Sequence, residues 1–336
     1  MNMKKLNVTL AILVAAVITH AQQHHEPLYS DVVGYQTKTI STGLNSVGLP
    51  LLKSDLVKTT ATSVTGNSIL LSGETNFGAK LNAAKSYYIE VYSGNLKGDR
   101  FDVDVAGSIA AGNGGVVVNP SSGNNTMPVA SIGTNLDNAI IAVREHITLA
   151  DLDTYLSTPA VGNNSISLSD GVGFTESGSL IFYNKKADGT WKKVGNSADF
   201  SAKTIPPGVG VFIKKTGSAV TLTQVGNVRE NDFARPLTTQ LSLAAPAYPV
   251  DLTPVNLAIV PGIGATDWTG GTVVTGDYVS KVESGSLIKY TLKADGSVNK
   301  VGNSTDFKNT ALFVGSEAQL VKRAKANADL VEVKPF

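Results

Sequence analysis

Glu176-Ser177-Gly178-Ser179-Leu180-Ile181-Phe182-Tyr183-Asn184-Lys185-Lys186-Ala187-Asp188-Gly189-Thr190-Trp191-Lys192-Lys193-Val194, running on to Asp199-Phe200, decides how the chain is read, because it occurs twice. Residues 283–307 repeat it at a constant offset of 107, without a gap, and 18 of 25 positions are identical. Within each copy two apolar runs flank an Asp-Gly pair, Asp188-Gly189 and Asp295-Gly296. That pattern predicts a β-hairpin, and Asp-Gly favours a two-residue type I′ turn because both residues tolerate positive φ. In that register Tyr183 faces Val194, and Tyr290 faces Val301. Phe182 and Trp191 then share the face opposite Tyr183. The second copy replaces them with Lys289 and Val298, so the shared core does not require them.

Working outward, the repeat extends to units of roughly 100 residues. Thr148 is placed to cap a short helix through Asp151, Leu152, Asp153 and Tyr155, ended by Pro159. Pro249-Val250-Asp251-Leu252 stands as a rough counterpart of His146-Ile147-Thr148-Leu149. Ser165 to Leu168 reads as a short strand. Residues 316–330 have helical propensity, but an offset of 108 sets Leu320-Val321-Lys322-Arg323 on Phe212-Ile213-Lys214-Lys215, so a β-hairpin is expected there.

Ahead of the repeats, Thr60 to Leu71 carries a hairpin signal around Gly66-Asn67. Ser86 to Tyr92 alternates, with Tyr87, Ile89 and Val91 on a core face and Tyr88, Glu90 and Tyr92 on the other. Phe101, Val103 and Val105 alternate with Asp102 and Asp104 as a half-buried strand, and Val116 to Val118 closes this block. Asn119-Pro120-Ser121-Ser122-Gly123-Asn124-Asn125 reads as a linker or long loop. The expected organisation is residues 31–119 as an N-terminal β module, 132–232 as the first repeat and 239–336 as the second. The fold class is all-β, in tandem sandwich-like or barrel-like modules with at most short helices.

The first 21 residues have the three parts of an export signal. Lys4-Lys5 precede an apolar run from Leu6 to Ile18, and Thr19-His20-Ala21 ends in small residues, which predicts cleavage after Ala21. About 13 apolar residues fall short of the roughly 20 that span a bilayer, so no membrane span is expected after removal of the signal. Residues 22–30 form a polar lead-in. Gln22-Gln23-His24 could present a copper or nickel site if the amine were free, but a disordered tail is the simpler reading. The localisation expected is periplasmic, cell-surface or extracellular.

Composition narrows the chemistry. The 336 residues carry a net charge of +1 and no cysteine, which gives no reason to expect nucleic acid and removes disulfides, thiol catalysis and thiolate metal sites. His146 is the only histidine in the body of the chain, and no serine lies in a Gly-x-Ser-x-Gly setting. His146 therefore reads as a surface or turn histidine, and the Asp102–Asp104 pair as a solvated face rather than a calcium loop. Lys185, Lys186, Lys192 and Lys193 on one hairpin read as protection of a strand edge.

The chain resembles a family of exported bacterial β-rich repeat proteins with no known activity. The likeness rests on Val33-Gly34-Tyr35, Tyr87-Tyr88-Ile89 with Ser93-Gly94 and Lys97-Gly98, Gly189-Thr190-Trp191-Lys192-Lys193-Val194-Gly195, Ile205-Pro206-Pro207-Gly208, and Val228-Arg229-Glu230-Asn231-Asp232-Phe233. It implies no activity and no site residue. The second repeat departs from it, with Val298 in place of the tryptophan and Leu312-Phe313-Val314-Gly315 in place of Pro-Pro-Gly.

The function expected is a non-catalytic structural or adhesive one, with no enzyme activity and no cofactor. The alternative is a carbohydrate-binding or other ligand-binding β module. A second copy of the chain or a surface polysaccharide is the expected partner. Phe182 and Trp191 are the candidate contacts, either against the next domain or as an exposed aromatic platform.

Overall fold

The computed structural model describes residues 32–237, 239–257, 259, 268–272, 274–283, 286–324 and 328–334. The expected signal, the lead-in and the Gln22-Gln23-His24 site lie outside the described residues. The chain is all-β, and among the described residues every strand pairing is antiparallel.

Strands β1 (Val33–Ile40) and β2 (Gly43–Val47) come first. They are followed by β3 (Asp55–Thr65), β4 (Ser68–Leu71), β5 (Tyr87–Val91), β6 (Arg100–Asp102), helix α1 (Val105–Ala111), β7 (Gly115–Val117) and β8 (Ile140–Glu145). Next come β9 (Ile147–Thr148), helix α2 (Leu149–Tyr155), β10 (Gly171–Glu176), β11 (Ser179–Lys185), β12 (Trp191–Lys193), β13 (Thr204–Ile205), β14 (Val211–Lys215) and β15 (Val220–Asn227). The last set is β16 (Phe233–Leu237), β17 (Ser242–Ala244), β18 (Tyr278–Glu283), β19 (Ser286–Leu292), β20 (Val298–Lys300), β21 (Gln319–Lys322) and β22 (Ala328–Glu332).

Strand order shows what the repeat is. One sheet runs β12-β11-β10-β14-β2 and a second runs β20-β19-β18-β21-β17, strand for strand the same. Each has a companion ribbon, β1-β15 and β16-β22. Lys38 pairs with Leu222 as Arg235 pairs with Leu330, an offset of 197, whereas Gly171 and Tyr278 correspond at 107. The difference, 90, is the span of a separate six-stranded sheet, β6-β5-β8-β3-β4-β7, set between β2 and β9.

The first repeat is thus discontinuous, and the expected boundaries are corrected. Residues 33–47 belong to the first repeat rather than to an N-terminal module. Strand β8, assigned by sequence to the first repeat, lies inside the insertion between β5 and β3. Of the two readings of Asn119 to Asn125, the loop is the one observed, and it belongs to the insertion. The reason is physical: sheet membership is set by non-local pairing, and local composition does not record it.

Three cores result. Ile69, Ile89, Phe101 and Ile141 centre that of the insertion. Leu149, Phe174, Tyr183, Trp191 and Ile213 fill the first repeat, and Trp268, Val279, Tyr290, Leu292 and Phe313 the second. A fourth cluster joins the outer faces of the two repeat sheets, with Phe212 and the partly buried Phe182 against Leu243, Ala318 and Leu320.

Several local expectations are met. Thr148 caps α2 in a full capping box with Asp151. Its counterpart is Thr253 with Asn256, which moves the match by two residues from the one read in sequence. Thr65 pairs with Ser68 across the Gly66-Asn67 turn. The C-terminal segment is strand, not helix, but β21 and β22 join different sheets and do not form a hairpin with each other. Ile166–Leu168 is a 3₁₀ turn rather than a strand. Asp104 ends β6's extension by capping α1, its carboxylate accepting from the Gly107 N–H at 2.9 Å.

Candidate functional site

The β11–β12 register differs by one residue from the two-residue-turn reading. Tyr183 pairs with Lys193 and Lys185 with Trp191, and the second repeat keeps this as Tyr290 with Lys300 and Leu292 with Val298. Gly189 and Gly296 have φ of +84° and +82°, while Asp188 and Asp295 do not have positive φ. The turn is therefore a three-residue Ala-Asp-Gly loop in which only the glycine is left-handed, and type I′ is not used. A one-residue shift carries each side chain of the strand to the other face.

Trp191 accordingly sits on the Tyr183 face, 1% exposed, in the core of its own repeat. It offers no aromatic platform. Lys185 lies 5.1 Å above its ring and pairs with Asp153. Val194 and Val301, expected to face Tyr183 and Tyr290 across the hairpin, are 60% and 54% exposed. Phe182 does lie on the opposite face, where it packs against the second repeat. The two candidate contacts are thus separated by the thickness of a sheet. The four lysines of the hairpin are all engaged: Lys185 with Asp153, Lys186 with the Asn164 carbonyl, Lys192 with Asp188 and Lys193 with Glu176. Lys192 and Lys193 stand on β12, an edge strand, as edge protection requires.

The concentration of buried polar chemistry lies elsewhere, where the insertion meets the segment between the repeats. Glu90 on β5 is fully buried between two arginines. Arg229 is ion-paired with it, and Arg144 on β8 lies 3.5 Å from it and 2.6 Å from Asp55. Asn231 donates to the Val91 carbonyl at 3.0 Å and accepts, through its own carbonyl, from Tyr248. Phe233 is covered on its faces by Arg229 at 4.5 Å and Arg100 at 4.0 Å. Glu332, also buried, accepts from the Ala247 N–H at 2.9 Å.

Electrostatics follow from this burial. Burial pushes the Glu332 carboxyl up to about 7, against the pull of Arg229, Arg235 and Arg100. Burial also lowers the Arg229 guanidinium. For Arg144 burial acts the same way, but Tyr88, Tyr92 and Asp55 outweigh it and hold its pKa above the ordinary value.

His146 is at the rim of this joint and is 2% exposed, which corrects its reading as a surface residue. Its ring lies 4.7 Å from Tyr88, and Nε2 is 2.8 Å from Asp102 Oδ1. Asp102 is correspondingly no solvated face. Its other oxygen accepts from Ser122 at 2.6 Å and Asn124 at 2.8 Å, and although burial raises its pKa, the His146, Ser122 and Asn124 hydrogen bonds bring it below the usual range. The carboxylate stands between histidine and serine, so the imidazole does not reach the hydroxyl as a nucleophile's base must. What the arrangement does is pin the 119–125 loop to the joint.

Sequence reasoning passed over Glu90, Arg144 and Arg229. The signal was present: a single charge in each of the apolar runs Tyr87-Tyr88-Ile89-Glu90-Val91 and Ile140-Ile141-Ala142-Val143-Arg144. Charges of opposite sign inside buried strands indicate a buried pair. Among the described residues no group of three His, Asp or Glu side chains is placed to hold a metal ion, and no helix is long and apolar enough to cross a membrane. No known protein family, curated protein or solved structure matches this chain.

Proposed function

We propose that the chain is an exported, non-catalytic structural or adhesive protein of the cell surface or extracellular space. The observation that supports this reading is the joint. Glu90, held by Arg144 and Arg229, ties the insertion to the connection between the repeats. Residues 33–336 accordingly form one compact unit. Lys38 bridges to Glu317 at 3.0 Å across the two repeats, and Phe182 and Phe212 pack against the second repeat. The ionisable groups that a catalytic cleft would hold open are spent here on fixing three β units together. A body built in this way suits display or load-bearing.

The alternative, a carbohydrate-binding or other ligand-binding β module, is favoured by a separate observation, an arginine-lined recess at the same joint. Cell fractionation with sedimentation and negative-stain imaging of the purified chain tests the main reading. The expected result is a chain lacking residues 1–21, recovered outside the cytoplasm, and associated with itself or with envelope polysaccharide. A cytoplasmic location, or an enzymatic turnover that His146→Gln abolishes, overturns it.

A further inference from the structure

A recess of about 180 Å³ opens where the insertion, the first repeat and β16 meet, with Arg100, Asn124, Thr175, Pro206, Val209 and Arg235 in its wall. Arg100 is the unusual member. Its side chain is buried, with the residue 5% exposed, and its guanidinium rests on Phe233. Its Nη1 has no hydrogen-bond partner among the described residues. The other deeply buried cations each have a carboxylate: Arg144 has Asp55, Arg229 has Glu90, Lys215 has Asp170 and Arg323 has Asp277. Arg100 has none.

Its acidic neighbours Asp99, Asp102 and Glu332 act on it only at a distance, without an ion pair. Asp102 is held by His146, Ser122 and Asn124, and Glu332 by the Ala247 N–H. Burial raises the Asp99 carboxyl against its hydrogen bond with Thr126 and the charge of Arg100. Across the recess stands a second cation, Arg235, which donates to the carbonyls of Gly208 and Leu243. Burial lowers Arg235 to about 9 and Arg100 to about 10, and each guanidinium stays charged at neutral pH. The Arg100 charge adds to the lowering at Arg235, and Glu332, which acts on both guanidiniums, offsets it in part. Two like charges facing one small space with an orphaned donor are a site whose electrostatic cost falls when an anion enters.

The rest of the wall sets the ligand's shape. Thr175 accepts from the Leu243 N–H at 3.0 Å, which leaves its hydroxyl hydrogen to donate. Pro206, Pro207 and Val209 give an apolar flank without N–H donors from the prolines. We propose that this recess binds a small carboxylate ligand, its carboxylate between Arg100 and Arg235 and its carbon skeleton against Pro206, Pro207 and Val209. This goes beyond the structural role and does not depend on it.

Calorimetric titration of the full purified chain with D-glucuronate and with acetate, and with D-glucose as the neutral control, tests the proposal. Saturable one-site binding of a carboxylate is expected, with no response to glucose. Arg100→Gln should weaken it at least tenfold. Because Arg100 also supports Phe233, a second variant separates binding from folding. A Cβ added at Gly123, which also lines the recess, meets nothing within 4 Å, so Gly123→Glu brings a competing carboxylate to the mouth without steric cost. It should abolish binding with the melting temperature unchanged. The proposal is overturned if neither carboxylate gives a saturable response, if glucose matches glucuronate, or if Gly123→Glu, folded, binds as the parent does.

Discussion

Lys215 Nζ lies 2.7 Å from Asp170 Oδ2 in the first repeat, and at the corresponding place in the second Arg323 Nε lies 3.2 Å from Asp277 Oδ2. Both pairs are nearly free of solvent. The cation differs, yet the geometry of β10 against β14 and β18 against β21 keeps the pair. Arg323 adds a stack on Trp268 at 4.1 Å, which the flat guanidinium allows.

Asp170→Asn should therefore cost about 3–5 kcal/mol, because it leaves Lys215 buried without a counter-charge. The double change Asp170→Leu with Lys215→Met should recover most of that loss, since a buried pair gains little over well-packed apolar side chains. Urea denaturation of the three proteins measures both. Burial raises the Asp170 pKa, but Lys215 and the Thr216 and Val161 N–H groups outweigh it and depress it. Its stabilisation is thus complete above the unfolded value and is lost as pH falls through the folded one. The acid-side loss should be shallower in Asp170→Asn.

Glu332 behaves in the opposite sense. Its folded value, raised by burial from 4.5 to about 7, makes its contribution complete below the unfolded value and lost as pH rises to neutrality. Glu332→Gln keeps an acceptor for the Ala247 N–H and removes the charge. The variant should match the parent at about pH 4 and exceed it at pH 8, by up to roughly 3 kcal/mol. Parallel pH profiles for the two proteins would show that the carboxyl does not titrate in this range.

The hairpin separates two residues that sequence had joined. Trp191→Ala should cost about 3–5 kcal/mol, as loss of a buried aromatic does, whereas Phe182→Ala, removed from a partly buried contact between repeats, should cost less. Gly189→Ala should cost about 1 kcal/mol or more, because its φ of +84° is strained for any residue with a Cβ. Thermal melts read all three. Equal losses at Trp191 and Phe182 would contradict the observed register.

What could be read from sequence divides along physical lines. The 176–200 repeat was visible because a hairpin buries its face against near neighbours, and Tyr183, Phe200 and Glu176 recur as Tyr290, Phe307 and Glu283 with the same contacts. The match of β1 and β2 to β16 and β17 was not visible. At the offset of 197 only Thr42 with Thr239 and Leu44 with Leu241 are identical over residues 33–51. What persists there is burial, Ile40 and Leu237 being 0% and 1% exposed, and burial is not written in residue identity. The turn was misread for a different reason. Ala-Asp-Gly is compatible with a two-residue or a three-residue loop, and the choice rests on what Trp191 packs against. The joint was missed because Glu90, Arg144 and Arg229 are far apart in the chain and meet only after the insertion is placed.

That joint gives the last prediction. Among the described residues Glu90 is the one carboxylate paired with both Arg144 and Arg229, and it has no exposed surface. Glu90→Gln would leave Arg229 buried without its counter-charge, while Arg144 keeps Asp55 at 2.6 Å. The expected loss is about 3–5 kcal/mol. It should fall on the coupling between units rather than on any core, since Ile69, Ile89, Phe101 and Ile141 in the insertion are untouched. A single calorimetric transition in the parent should then split, with the insertion and the repeats melting apart. Arg144→Met, which spares the Glu90–Arg229 pair, should broaden the transition without splitting it. A sharp single transition in Glu90→Gln, destabilised by less than about 1 kcal/mol, would mean that the apolar contacts at Phe233 and Tyr248 hold the units together without the charges.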